Sequence, residues 1–192
     1  MRSRAGECLA KLVELFHRTH RERLAHIETH GILPPSDLGK AMPRVELLEA
    51  RRKTDEFLDS LAPPDIRERR GNGIFLFPEN APGTLFGPDN RVGIKVKVDP
   101  AHCRVFDMLT YDNVLKELRR GGQENAEPHA WFYWHFSVPL ADFIKHFERG
   151  RGKGWERKSG APDGLPERIW WPEVITMKAI SPKHVDVKTP LE

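Results

Sequence analysis

Two cysteines, Cys8 and Cys103, are all that the 192 residues contain. That is too few for a disulfide framework or a zinc site built on thiolates. Long apolar runs are missing as well, and none approaches the roughly 20 residues a membrane-spanning helix needs. The opening "MRSRAGECLAKLVELF" is basic, but Glu7, Lys11 and Glu14 interrupt the apolar core of a signal peptide. The compartment expected from these absences is a reducing cytoplasm, with no membrane partner. Excess charge of one sign is also lacking: 31 basic residues face 28 acidic ones, a net of +3. Such a balance does not by itself argue nucleic-acid binding. There is no internal repeat, heptad seam or low-complexity segment.

What is present reads as one folded domain. Apolar residues make up 39% and charged residues 31%, which suits a globular chain, and the length suits a single core. The run from Val13 to His17 is β-prone. "HRERLAHIETHG" follows as a short amphipathic helix, with Leu24 and Ile27 inward and a stop at Gly31. The stretch from about 43 to 70 carries Val45, Leu47, Leu48, Phe57, Leu58 and Leu61 on a charged background, a helical insertion closed by Pro63 and Pro64. "GNGIFLFP" has strand length. "RVGIKVKVDP" alternates Val92, Ile94, Val96 and Val98 against polar partners, the signature of a half-buried strand. "CRVFDM" reads as a strand and "YDNVLKELRRG" as a short helix. An aromatic segment leads into a helix from Pro139. A long Gly/Pro/basic loop, a late strand "WWPEVITMKAI" and a closing turn and strand complete the chain. This irregular order predicts an α+β fold with mostly antiparallel pairing.

Histidines crowd "LFHRTHRERLAHIETHGILP", where His17, His20, His26 and His30 fall close together. His26 and His30 are i, i+4 and could share a helix face as metal ligands. Ile27 sits where an H-E-x-x-H site needs its Glu, and no carboxylate–His pattern nearby offers a third ligand. A solvated helix end, where cationic side chains are favoured, is the alternative. No metal is expected.

His17 stands apart, on the predicted strand. A strand ending in aromatic-His-x-Thr, a short helix, then Gly and two apolar residues resembles the opening of the ADP-ribosyltransferase fold. "GNGIFLFPENAPG" is similar to the Gly-x-Gly-Ile-Tyr-Phe strand of the poly(ADP-ribose) polymerase branch, with Phe75 in the Tyr position. "WPEVITMKAISPKHVDV" resembles that fold's last core strand, which carries a single catalytic Glu, here Glu173. Its trailing "ISPKHV" is similar to the ending of bacterial members, including DarT-like toxins.

The resemblance implies split, mostly antiparallel sheets in one domain spanning 1–192, and NAD as co-substrate. It implies that Glu173 orients a ribose hydroxyl and stabilises the oxocarbenium-like ribose left as nicotinamide departs. It implies that His17 donates a hydrogen bond to the adenosine ribose and that Thr19 orients the site. The main chain of Arg18, in the place of a Gly, would clasp the nicotinamide amide, and Phe75 would stack on the ring. His20 is a second-rank candidate if the register shifts. His17, Phe75 and Glu173 should therefore converge at one cleft.

The resemblance further implies that the acceptor meets the loop before the last strand. From Arg149 to Lys158 it holds Arg149, Arg151, Lys153, Arg157 and Lys158 against Glu156 alone, with Trp155 among them. Cations for phosphates and an indole for bases are a single-strand nucleic-acid combination. A solvated loop is the plain alternative, and a protein acceptor stays open. The expected activity is ADP-ribose transfer from NAD to nucleic acid or protein, in a toxin or defence effector with a cognate antitoxin. Two alternatives remain: an RNA 2′-phosphotransferase using Arg18, Arg21 and Arg23, and a non-catalytic basic nucleic-acid-binding module.

Overall fold

The computed structural model describes residues 11–37, 49–79, 91–151 and 154–191. They form an α+β domain with three small antiparallel sheets and five helices among the described residues. Strand β1 (Val13–His20) pairs along its whole length with β3 (Arg91–Val98), and β10 (Val185–Leu191) covers the other edge of β3. The second sheet runs β2 (Ile74–Leu76), β9 (Pro172–Thr176), β4 (Cys103–Asp107), β5 (Val138–Pro139). Phe16 and Phe77 join the two sheets by a reciprocal main-chain pair, 2.8 Å each way.

Alternation along the strands sorts side chains into two apolar clusters. Leu15, Val92, Ile94 and Val96 face Ile74, Leu76, Val105 and Val174 in the first cluster. The opposite face of the second sheet offers Phe106 and Ile175 to the helices, with Phe75 packed alongside. Over that face lie α2 (Glu49–Ser60), α3 (Met108–Arg119) and α4 (Gln123–His135). Helix α1 (Leu24–His30) follows β1 and buries Ile27 in the first cluster, and α5 (Leu140–His146) starts from Pro139 and buries Leu140 and Phe143. Gly31 ends α1 at φ +77, where a Cβ would stand 2.0 Å from the Ile180 carbonyl oxygen. Only glycine allows the Ile32–Ile180 pairing that follows.

Several expectations change. The first strand continues beyond His17 to His20 because β3 supplies a partner for all eight residues. The aromatic segment is itself a helix. Ala126, Ala130, Tyr133 and Trp134 recur at helical spacing and are buried, and Pro128 is tolerated at the cost of one main-chain bond. Much of the basic loop is a third sheet, β6 (Phe147–Arg149), β7 (Trp155–Arg157) and β8 (Arg168–Ile169). The helical insertion is seen as α2, with Leu58 fully buried. Val45, Leu47, Leu48 and Lys153 lie outside the described residues. Among the described residues no helix is long and apolar enough to cross a membrane.

Candidate functional site

The two sheets part company at His17. A ladder continued from the Phe16–Phe77 pair would next join Arg18 to Phe75. Instead the His17 imidazole reaches into the gap, and its Nδ1 donates to the Phe75 carbonyl at 3.0 Å. The side chain takes the acceptor that the ladder needs, and β1 and β2 diverge. In an antiparallel strand, main-chain groups two residues apart point to the same edge. The Arg18 N–H and C=O therefore point, like those of Phe16, toward the side of the opening.

That opening is a groove of about 150 Å³ lined by His17, Thr19, Arg23, His26, Gly73 and Phe75, among others. Thr19 is buried beside it. A carbonyl can only accept, so the His17 proton sits on Nδ1 and Nε2 is left as an acceptor. Burial lowers the His17 pKa, the Phe75 bond pulls it up, and the Arg23 charge lowers it further. The ring is therefore neutral at pH 7. His17 is thus suited to accept from a hydroxyl rather than to donate, the reverse of the expected polarity, because its proton is already engaged. His20, one residue past Thr19, alternates away and does not line the groove. His26 and His30 sit with ring centroids 4.5 Å apart, and among the described residues no cluster of three ligating side chains surrounds them.

Behind β2 lies a second constellation that the sequence did not announce. Arg70, in a 3-10 turn just before β2, is buried in the centre of four elements. Its Nε donates to Asp55 at 2.9 Å, and its Nη1 donates to the Tyr133 hydroxyl at 2.7 Å and to Glu173. The guanidinium carbon lies 3.9 Å from the centre of the Tyr111 ring and 4.8 Å from that of Phe75. The turn itself is pinned by Asp59, which accepts from the Arg70 and Gly71 N–H groups at 2.8 and 2.9 Å.

The electrostatics follow from burial. Desolvation raises the Glu173 pKa, and the Arg70 charge and hydrogen bond pull it down. Burial alone would lower Arg70, but Glu173, Tyr133 and Asp55 together hold it well above its usual value. Burial raises both tyrosines, so Tyr111 and Tyr133 remain phenols. Arg51 stands close enough to act on Glu173 and Asp112. A carboxylate so placed keeps its charge only while its guanidinium partner is present.

The expected convergence of the His17, Phe75 and Glu173 side chains at one cleft is not what the structure shows. His17 points to the side of β1 that carries Leu15, whereas Phe75 and Glu173 point to the helix-covered face of the second sheet. Phe75 links the two, its carbonyl on His17 and its ring beside Arg70. Glu173 does not line the His17 groove; it is buried against Arg70. Only the sequence position of Arg70, an arginine next to a Gly-rich strand start, could have signalled it.

The basic run also differs from expectation. Trp155, half-buried, packs on Phe143, ring centroids 4.9 Å apart, against the first core cluster. Arg157 and Lys158 donate to the Leu165 and Lys145 carbonyls at 3.0 Å, holding the loop closed. Arg149 lies 3.4 Å from Glu79, and Arg151 is exposed. The exposed indoles near this run are instead Trp170 and Trp171. Asp107 accepts from both of their main-chain N–H groups, at 2.9 and 3.1 Å, and the Arg168 guanidinium lies 4.5 Å from the Trp170 ring centre. Both precede β9 and Glu173. Compared with protein-family models, curated proteins and solved structures, the chain matches none.

Proposed function

We propose that this chain is an NAD-dependent ADP-ribosyltransferase, with an ADP-ribosyltransferase-like split sheet, that moves ADP-ribose to a nucleic-acid or protein acceptor. One observation carries the reading. At the point where the sheets divide, a neutral imidazole acceptor lines one groove, and the strand bordering that groove backs onto a buried carboxylate–guanidinium pair.

The chemistry fits a ribose. His17 Nε2 accepts from a sugar hydroxyl, and a neutral ring holds that role across physiological pH. The groove admits a ribose-sized part of NAD and not the whole dinucleotide, since ligand pockets run to roughly 300–1,000 Å³. The remainder of NAD would lie across the rim, where Arg23 offers charge toward phosphate. Arg70 offsets part of the burial that raises the Glu173 pKa, and a carboxylate held beside a guanidinium in a dry site is well suited to stabilise a cationic ribose. Contact between that ribose and Glu173 requires the turn of Arg70 and the α2 cover to shift. Trp170, Trp171, Arg151 and Arg168 replace Trp155 as the surface facing an acceptor.

A second reading is favoured by one observation: Glu173 is sealed against Arg70, which suits a nucleotide-binding module without catalysis. Incubation with NAD and measurement of released nicotinamide separates the two. The transferase reading expects release by the wild type and loss of at least about 100-fold in Glu173→Gln, with the NAD-induced rise in melting temperature retained. Absence of release by the wild type, or an active Glu173→Gln, overturns it.

A further inference from the structure

Helix α4 turns its buried side to Phe106 and Ile175, yet its outer side is also apolar. Trp131 is 51% exposed, Phe132 45% and Phe136 42%, and Leu61, at the end of α2, is 43% exposed beside them. These rings are ordered among themselves. Trp131 stacks on His135 with centroids 4.1 Å apart, and Phe132 stacks on Phe136 at 5.2 Å. Between α4 and Leu61 runs a groove of about 420 Å³, lined by Glu124, Glu127, Pro128, Trp131 and His135. It lies on the outer side of α4, away from the His17 groove and from Glu173.

Large aromatic side chains held in water in a single patch mark an interface. The order of residues along the stripe says which partner fits. Acids lie at the N-terminal end (Glu124, Glu127), a proline and an indole in the middle (Pro128, Trp131), and an imidazole at the C-terminal end (His135). His135 Nδ1 donates to the Trp131 carbonyl at 2.9 Å, which leaves Nε2 facing outward. An identical helix laid antiparallel about the midpoint between Pro128 and Trp131 brings complementary groups together along the groove. Glu124 then meets the second copy's His135 at both ends, about 16 Å apart along the helix, a pairing in which the imidazole carries a second proton, on Nε2, to donate to the carboxylate. Each Trp131 covers a Pro128, and each Phe132 lies against the stem of a Glu127. A two-fold interface demands this self-complementarity, since both partners present the same residues.

We propose that this face is a dimerisation surface on which α4 packs antiparallel against α4 of a second copy of this chain. The four exposed apolar side chains offer on the order of 300–400 Å² per copy. A standard interface buries about 800 Å² per partner, so the dimer is weak, in the micromolar range.

Sedimentation of the full chain from about 1 to about 200 µM reads the equilibrium directly. The wild type should shift from monomer to dimer across that range. Trp131→Glu, at a half-exposed position, should keep its circular dichroism and unfolding midpoint and stay monomeric. A charge exchange tests the register: Glu124→Arg and His135→Glu should each weaken association at least about tenfold, and the two together should restore it. That restoration separates an antiparallel two-fold from a generally adhesive patch. A wild type that stays monomeric throughout, a Trp131→Glu that dimerises normally, or a double variant no better than the singles overturns the proposal.

Discussion

Replacing Arg70 with methionine keeps most of the side-chain volume and its packing between Tyr111 and Phe75 while deleting the charge. In the wild type, that charge is shared by Asp55 and Glu173, both buried, and by the Tyr133 hydroxyl. Removing one partner of a buried ion pair leaves an uncompensated charge and costs about 3–5 kcal/mol. For a domain of this size each kcal/mol lowers the melting temperature by roughly 2–4 °C, so the expected loss is roughly 6–20 °C. Glu173→Gln should cost only about 1–2 kcal/mol, because its amide oxygen still accepts from Arg70 and Arg70 still has Asp55. The double variant should be less destabilised than the sum of the singles, since the stranded carboxylate is gone.

Acid adds a second readout. Burial already raises the Glu173 pKa, and loss of Arg70 removes what pulls it down. A raised carboxyl pKa means that the folded state binds the proton more tightly, so the penalty is relieved as pH falls. Urea unfolding should therefore show the gap between wild type and Arg70→Met narrowing from about pH 8 to about pH 5. A loss below about 1 kcal/mol at neutral pH, or a gap that widens on acidification, would refute the ion-pair account.

The remaining predictions concern the groove, the basic run and the α1 terminus. By NMR, His17 should titrate below the ordinary 6.5, with its proton on Nδ1; the depressed folded-state pKa makes its stability contribution full above 6.5 and lost as pH falls below it, and titration above 6.5 would contradict the burial argument. Trp155→Ala should cost about 2–4 kcal/mol as a core deletion, whereas Trp170→Ala should leave the unfolding midpoint nearly unchanged and weaken a single-stranded oligonucleotide by about 1–3 kcal/mol. The reverse order of these two tryptophans in unfolding and fluorescence titrations would restore Trp155 as the stacking residue. Gly31→Ala should cost about 1–3 kcal/mol from backbone strain alone, with its clash on the Ile180 carbonyl adding to it; an unchanged unfolding midpoint would show that α1 can end another way.

Local rules made some of this protein legible from its residues. Alternation of Val92, Ile94, Val96 and Val98 announced β3, spacing of Leu24 and Ile27 announced α1, and Gly31 its end, because a strand's two-residue period and a helix's 3.6-residue period are written directly in the chain. His17 was singled out correctly as a strand residue set apart from the helical histidines. Aromatic density hid α4, since a helix buried through alanines and large rings carries little amphipathic contrast. Partnership is what local pattern does not contain. That His17 spends its proton on Phe75, that Trp155 packs inward while Trp170 and Trp171 face water, and that Arg70 sits on Glu173, 103 residues away, all depend on which strands become neighbours. A charge near a glycine reads as solvated until three helices close over it. Desolvation and the pairing that offsets it are properties of the packed molecule, and the tertiary structure alone decided them.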